Sequence, residues 1–232
     1  MKTPWVVILL GVPGSGKGTQ ARALARTLAV PQISTGEMLR EAVQAKTALG
    51  RLAEEKMRAG GLVADDIMCR IVSDRLDRPD CRFGVVLDGF PRTVEQALFL
   101  NDFLQKRESW KPVVIHICID QDLLVKRTVG RRTCPVCSEV YNIYFKPPKT
   151  DGTCDKDGAI LTCRVDDNEL TVRQRARAYA EQTQPLIGLY SSMDVLHNAN
   201  GNLEAEAVSA QIYLALGKSR QDKAPVLDER TE

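Results

Sequence analysis

The sequence predicts an α/β fold in which a five-stranded parallel sheet is flanked by helices. Three observations carry that expectation. Short apolar runs alternate with amphipathic stretches, the pattern of a parallel sheet covered on both faces. The first apolar run meets a glycine-rich string ending in lysine, followed at once by a helical pattern. A length of 232 residues suits one well-buried core with small inserts.

The elements follow in order. Residues 5–10 form the first candidate strand, and Leu24 and Leu28 give the helix after it an apolar face. Further strands are expected at 31–33, 84–88, 112–119 and 194–197, with long helical patterns at 170–190 and 203–216. From Lys218 onward the chain is charged and aperiodic, and a disordered extension is expected at 218–232.

Composition narrows the functional classes. Lys and Arg total 32 against 30 for Asp and Glu, a net charge of +2, which gives no reason to expect nucleic acid or an acidic membrane as partner. The run at 5–10 ends at Gly11 and is too short for a signal peptide core or a membrane span. Without an export signal, the expected location is the reducing cytoplasm, where seven cysteines read as thiols and metal ligands.

The string Gly11-Val-Pro-Gly14-Ser15-Gly16-Lys17-Gly18-Thr19 stands between strand and helix, the context a phosphate-binding loop requires. Glycines let successive N–H groups turn toward anionic oxygens, the helix dipole reinforces them, and Lys17 adds a full charge. The hydroxyl arrives one place later than in the general pattern, at Thr19. A glycine-rich turn without ligand is the alternative, but strand, spacing, lysine and helix agree on phosphate.

Two further strings narrow the acceptor: Ser34-Thr35-Gly36-Glu37-Met38-Leu39-Arg40, which opens a helix, and Val85-Val86-Leu87-Asp88-Gly89-Phe90-Pro91-Arg92, which takes an apolar strand to an acidic end and an arginine. With the loop ending Lys17-Gly18-Thr19-Gln20, with Arg127-Thr-Val-Gly-Arg131-Arg132 and with Asp166-Asp167-Asn168 running on to Arg173, they occur in one order along the chain. In these motifs the chain resembles the adenylate kinase family, in its long-lid, zinc-containing bacterial form. The resemblance spans nearly everything but the tail.

That resemblance implies reversible, Mg²⁺-dependent transfer of a phosphoryl group between ATP and AMP, giving two ADP, by a monomer. It implies that Gly14, Ser15, Gly16, Lys17, Gly18 and Thr19, with Arg127, Val140 and Tyr141, hold the donor. It implies that Thr35, Arg40, Gly89, Arg92, Gln96, Arg164 and Arg173 hold AMP, and that Lys17, Arg92, Arg127, Arg131, Arg164 and Arg173 surround the transferring group. The implied divisions are a core of 1–33, 64–129 and 168–217, an AMP-binding insert at 34–63 and a zinc lid at 130–167. Glu37 stands where many relatives carry aspartate, and as a first-turn acid it suits a helix start.

The charge inventory makes sense on its own terms. The migrating phosphoryl carries its charge on peripheral oxygens, and arginine forks bind such oxygens in pairs. An AMP phosphate is already ionised, so it needs no general base to remove a proton. Asp88, at a strand's carboxyl end, either holds Mg²⁺ through water or caps the turn before Gly89; its position favours magnesium. Gln96 either faces adenine or closes a capping box with Thr93. Arg127 and Arg131, four apart, are expected on one helix face, and Arg132 is expected as a solvated charge.

A second signal is Cys134-Pro-Val-Cys137, followed after sixteen residues by Cys154-Asp-Lys-Asp157. Paired-ligand turns around a hairpin-sized segment, with 140–145 read as a strand, resemble a zinc ribbon. The family resemblance makes Asp157 the fourth ligand of a structural Zn²⁺, with Cys163 left out because its offset breaks the spacing. Cys69, Cys81 and Cys118 are expected as packing residues, Cys118 most clearly. Other readings kept in view are a kinase acting on UMP or CMP or using GTP, a zinc-ribbon nucleic-acid binder, and a nucleotide-hydrolysing switch.

Overall fold

A computed structural model describes residues 4–59, 61–107 and 110–217. The expected tail at 218–232 lies outside the described residues.

The first strand, β1 (Trp5–Leu10), is the central strand of a five-stranded parallel sheet. Helix α1 (Lys17–Leu28) carries the chain to edge strand β2 (Gln32–Ser34), whose order in the sheet is followed by β3 (Gly84–Asp88), β1, β4 (Lys111–Cys118) and β7 (Leu196–Asn200). The strands expected at 31–33 and 112–119 are each displaced by one residue, and the one expected at 194–197 by about two toward the carboxyl end.

Strand period decides which face each side chain serves. Val6, Ile8 and Leu10 face one core with Val72 and Leu76 of α4 (Asp65–Leu76), Ala97 and Leu100 of α5 (Val94–Gln105), and Leu186 and Tyr190. Val7 and Leu9 face the other with Ala21 and Leu24 of α1 and Val208 and Ile212 of a helix at Ala205–Ala215. Being covered on both faces is what lets β1 read as an unbroken apolar run.

Between β2 and α4 run helices α2 (Thr35–Gln44) and α3 (Ala48–Arg58). Gly50 lets them touch, since a Cβ there would overlap the Ala42 carbonyl. After β4, α6 (Gln121–Val129) leads into a separate two-stranded antiparallel hairpin of β5 (Arg131–Thr133) and β6 (Val140–Asn142), shorter than the strand expected at 140–145. Among the described residues, the hairpin lobe has a small apolar cluster of Cys134, Tyr141, Cys154 and Leu161, with Ala159 packed against it.

The helical pattern at 170–190 is interrupted. It divides into α7 (Glu169–Ala178), a π turn at Tyr179–Thr183 and α8 (Pro185–Ser192), and α9 (Ala205–Ala215) is the last helix among the described residues. Pro185 has no N–H and its ring crowds the carbonyl four residues back. The ladder widens there, and Gln184 N–H donates to Tyr179 O across five residues at 2.8 Å.

The register sets the site. Leu9 pairs with Asp88 and Ser34 pairs with Asp88, so β1, β2 and β3 end at one level and release their loops along one rim. The carboxyl rim of a parallel sheet, where strand order reverses, is where such folds bind ligands.

Candidate active site

The loop after β1 closes on itself before meeting α1. Ser15 N–H donates to Val12 O at 3.1 Å, and Lys17 Nζ donates to the carbonyls of Gly11 at 2.6 Å and Val12 at 2.9 Å. Gly14 is at φ +92°, and a Cβ there would strike Thr128 Oγ1, so only glycine lets the loop pass α6 this closely. Ser15 Oγ is buried with no hydrogen-bond partner. Burial holds the Lys17 ammonium down to about 8, although Asp88 pulls the other way. A Cβ built on Gly18 would lie 3.4 Å from Asp88 Oδ2, which puts that carboxylate against the first turn of α1.

Across the rim, Ser34 caps α2 by accepting from Glu37 N–H at 3.4 Å. Thr35 Oγ1 donates to Gly89 O at 2.8 Å, tying α2 to the turn after β3, and Arg92 Nε donates to the same carbonyl at 2.8 Å. Gly89 is at φ +83°, where a Cβ would lie 2.8 Å from Arg92 Nη2 and 2.9 Å from Thr35 Oγ1. Gln96 is buried, with its Oε1 accepting from Arg92 N–H at 2.8 Å and its Nε2 donating to Asp65 Oδ1 at 2.7 Å. Only half of a capping box forms: Thr93 Oγ1 accepts from Gln96 N–H, but the Gln96 side chain serves Arg92 instead of returning to Thr93.

These two rims enclose a cleft of about 510 Å³, within the range of small-ligand sites. Arg40, Arg92, Arg127, Arg131, Arg164 and Arg175 all line it. Burial, joined by repulsion from Arg131 and Arg40, pushes Arg164 down to about 10. Burial likewise lowers Arg40 and Arg92, with Arg175 repelling both. Two carboxylates balance part of this charge: Asp167 takes both forks of Arg131, and Asp166 pairs with Arg175. Burial alone would raise Asp166, but the guanidinium of Arg175 holds it below the usual carboxylate range. So many cations in one cleft are satisfied fully only by a multiply charged anion.

Away from the cleft floor, the hairpin gathers Cys134, Cys137, Cys154 and Asp157, with one donor atom of each inside a 4.8 Å cluster. Cys134 Sγ is 3.3 Å from both Asp157 oxygens, and Cys137 Sγ is 3.5 Å from Cys154 Sγ. Tetrahedral zinc with bonds of about 2.3 Å spaces thiolates by about 3.8 Å, and a cluster within 4.8 Å is compatible with such an ion. Backbone N–H groups of Val136 and Cys137 point at Cys134 Sγ at 3.4 Å, the support a thiolate ligand needs. Cys163 is exposed and lies outside the cluster.

A family model described as Adenylate kinase matches residues 9–195. Proteins named Adenylate kinase from Archaeoglobus fulgidus and Bacillus subtilis are each 45% identical to the chain, covering 91% of it and 98% and 97% of themselves. One from Syntrophotalea carbinolica is 46% identical, covering 91% of the chain and 98% of its own length. The chain belongs to the adenylate kinase family.

The placement of two arginines differs from the expectation. Arg173 does not reach the cleft: it is exposed on α7 and pairs with Glu169 one turn earlier at 2.7 Å. Arg175, two residues on, lines the cleft beside Asp166. Helix phase is the reason. Thr171 and Val172 are the buried positions of α7, and Arg175 follows them on that side while Arg173 shares the outer face with Glu169. The signal was present in the sequence as the spacing from Val172.

Arg127 and Arg131 do not share a helix face. The helix stops at Val129, Gly130 caps it, and Arg131 begins β5. Arg127 instead donates to Gly201 O at 2.6 Å and stacks toward Phe145, 5.8 Å from its ring centre. Cys69 and Cys81 are buried as expected, but Cys118, the last residue of β4, is exposed, with its Sγ 3.4 Å from His116 Nδ1. Arg132 donates to Val129 O and Arg131 O and stays out of the cleft lining. Val140 and Tyr141 line the cleft from β6.

Proposed function

We propose that this adenylate kinase family member transfers the terminal phosphoryl group of ATP to AMP, yielding two ADP. The observation that carries the reading is the convergence of Arg40, Arg92, Arg131, Arg164 and Arg175 on a cleft floored by the phosphate loop. The donor lies on the loop from Gly14 to Thr19, with Lys17 released from its carbonyls to the phosphates and Arg127, Val140 and Tyr141 flanking the nucleotide. AMP lies against Thr35, Arg40, Gly89, Arg92 and Gln96, facing the donor across Arg131, Arg164 and Arg175.

The chemistry follows from these groups. The AMP phosphate attacks in line; it is already ionised, and no side chain removes a proton. Arginines positioned before the reaction meet charge spreading over the three peripheral oxygens, which is where preorganised donors contribute most. Asp88 would hold Mg²⁺ through water beside the phosphate loop. When bound with ATP, that ion neutralises phosphate charge.

Cys134, Cys137, Cys154 and Asp157 would hold Zn²⁺, leaving no ligand position open to substrate, so the metal's role is to fold a lobe whose apolar core is too small to do so. Residues 34–63 and 130–167 act as movable pieces that close over the nucleotides, excluding water so that phosphate passes to AMP and not to solvent. The gathered thiols fit a reducing compartment, and among the described residues no helix is long and apolar enough to cross a membrane.

The test is an acceptor panel. With ATP and Mg²⁺, AMP is expected to be phosphorylated much faster than UMP or CMP, and ATP to outperform GTP as donor. A preference for UMP or CMP would reassign the acceptor.

A further inference from the structure

Resting on that reading, the structure points to Asp65 as the residue that makes the acceptor site select adenine over a purine bearing an oxygen at the same ring position. Asp65 opens α4 and stands behind Gln96, outside the lining of the cleft. Its Oδ1 accepts from Gln96 Nε2 at 2.7 Å, and its Oδ2 accepts from Thr93 Oγ1 at 2.8 Å. Thr93 in turn accepts from Gln96 backbone N–H at 3.2 Å, so both carboxylate oxygens are held at the start of α5.

The orientation of a glutamine amide is normally ambiguous, because its oxygen and nitrogen have the same shape. Here the neighbours remove the ambiguity. A carboxylate oxygen can only accept, so the Gln96 nitrogen must face Asp65. A backbone N–H can only donate, so the Gln96 oxygen must face Arg92 N–H, 2.8 Å away. One Nε2 hydrogen and one Oε1 lone pair are left, and Gln96 lines the cleft. The amide is buried, so water cannot satisfy a mispaired partner there.

The remaining pair is a donor beside an acceptor in a fixed order. Adenine answers it with an acceptor at N1 and a donor at its amine. Hypoxanthine has the same outline but carries N–H at N1 and a carbonyl beside it, so it needs the amide turned over. Turning it would set nitrogen against the Arg92 N–H and oxygen against the Asp65 carboxylate. Asp65 is thus a positioning residue that acts on the base only through Gln96.

Replacing Asp65 with asparagine keeps size and shape but supplies a group that can donate as well as accept. The Gln96 amide then turns at lower cost, while Arg92 N–H remains as the second constraint, so discrimination narrows without reversing. The experiment measures initial rates with ATP, Mg²⁺ and either AMP or IMP. The wild type is expected to favour AMP by at least about 100-fold in kcat/KM. Asp65→Asn is expected to narrow that ratio about tenfold, as the KM for AMP rises and that for IMP falls. A folded Asp65→Asn protein that keeps the wild-type ratio, or loses both acceptors equally, overturns the proposal.

A second measurement on the unmodified protein stands apart from the variant's folding. In NMR of the Gln96 side-chain amide, one Nε2 proton is expected to stay hydrogen-bonded and unmoved by nucleotide, while the other shifts with AMP and not with IMP. Equal shifts of both protons, or equal responses to the two nucleotides, overturn it. If the wild type phosphorylates neither nucleotide, the proposed function fails, and the amide protons with AMP as bound ligand still decide the role of Asp65.

Discussion

Lys17 folds back on its own loop, with its ammonium donating to the Gly11 carbonyl at 2.6 Å. The charge the loop would offer to phosphate is thus held over backbone oxygen in the free protein. Burial holds its pKa near 8, down from 10.5. Between those two values the unfolded chain binds more protons than the folded one, so this group's contribution to stability rises with pH across that window.

Phosphate raises the pKa of Lys17 again, so ATP binding takes up protons at pH 8.5, where much of the free lysine is neutral, and takes up few at pH 7. Calorimetry in buffers of different ionisation enthalpy measures this. Lys17→Met is expected to abolish the uptake.

Arg173 and Arg175 separate the two faces of α7. Arg175→Gln is expected to lower kcat by a factor of ~100–1000, roughly 3 kcal/mol, the scale of losing one preorganised donor. Arg173→Gln, which breaks only an exposed pair with Glu169, is expected to stay within about twofold of wild type. Steady-state rates of the two variants side by side decide which arginine serves the reaction.

Gly89→Ala forces a Cβ to within 2.9 Å of Thr35 Oγ1 in a backbone conformation that favours glycine. The bond from Thr35 to Gly89 O and the placement of Arg92 are both disturbed. The KM for AMP is expected to rise about tenfold, with the KM for ATP changed little, and a melting curve should show a loss of about 1–3 kcal/mol.

Asp157→Ala removes one of four donors from the hairpin cluster. Zinc per protein, read by elemental analysis, is expected to fall well below that of the wild type, with the melting temperature lower by roughly 5 °C. Metal content equal to wild type would remove Asp157 from the ligand set.

The parts legible in the sequence were those encoded locally. Gly11 to Thr19 states loop, charge and helix start in one string, and the Cys134–Cys137 and Cys154–Asp157 spacings are turns that bring their own ends together. The strand ending at Asp88 showed by its apolar run. What was missed depended on phase or on distant contact. Gly130 stops the helix between Arg127 and Arg131, and the buried phase set by Val172 brings Arg175, not Arg173, to the cleft. The bond from Gln96 to Asp65 joins residues 31 apart, which no local pattern reveals.

On the proposed function, arginines and a lysine around two nucleotides carry a phosphoryl group from one to the other without loss to water. Phosphorus NMR of wild-type protein with ATP and Mg²⁺, recorded before and after AMP is added, tests it most directly. Negligible ATP breakdown is expected before the addition, then two ADP formed for each AMP consumed. Steady release of inorganic phosphate without AMP, or no ADP once AMP is present, would contradict it.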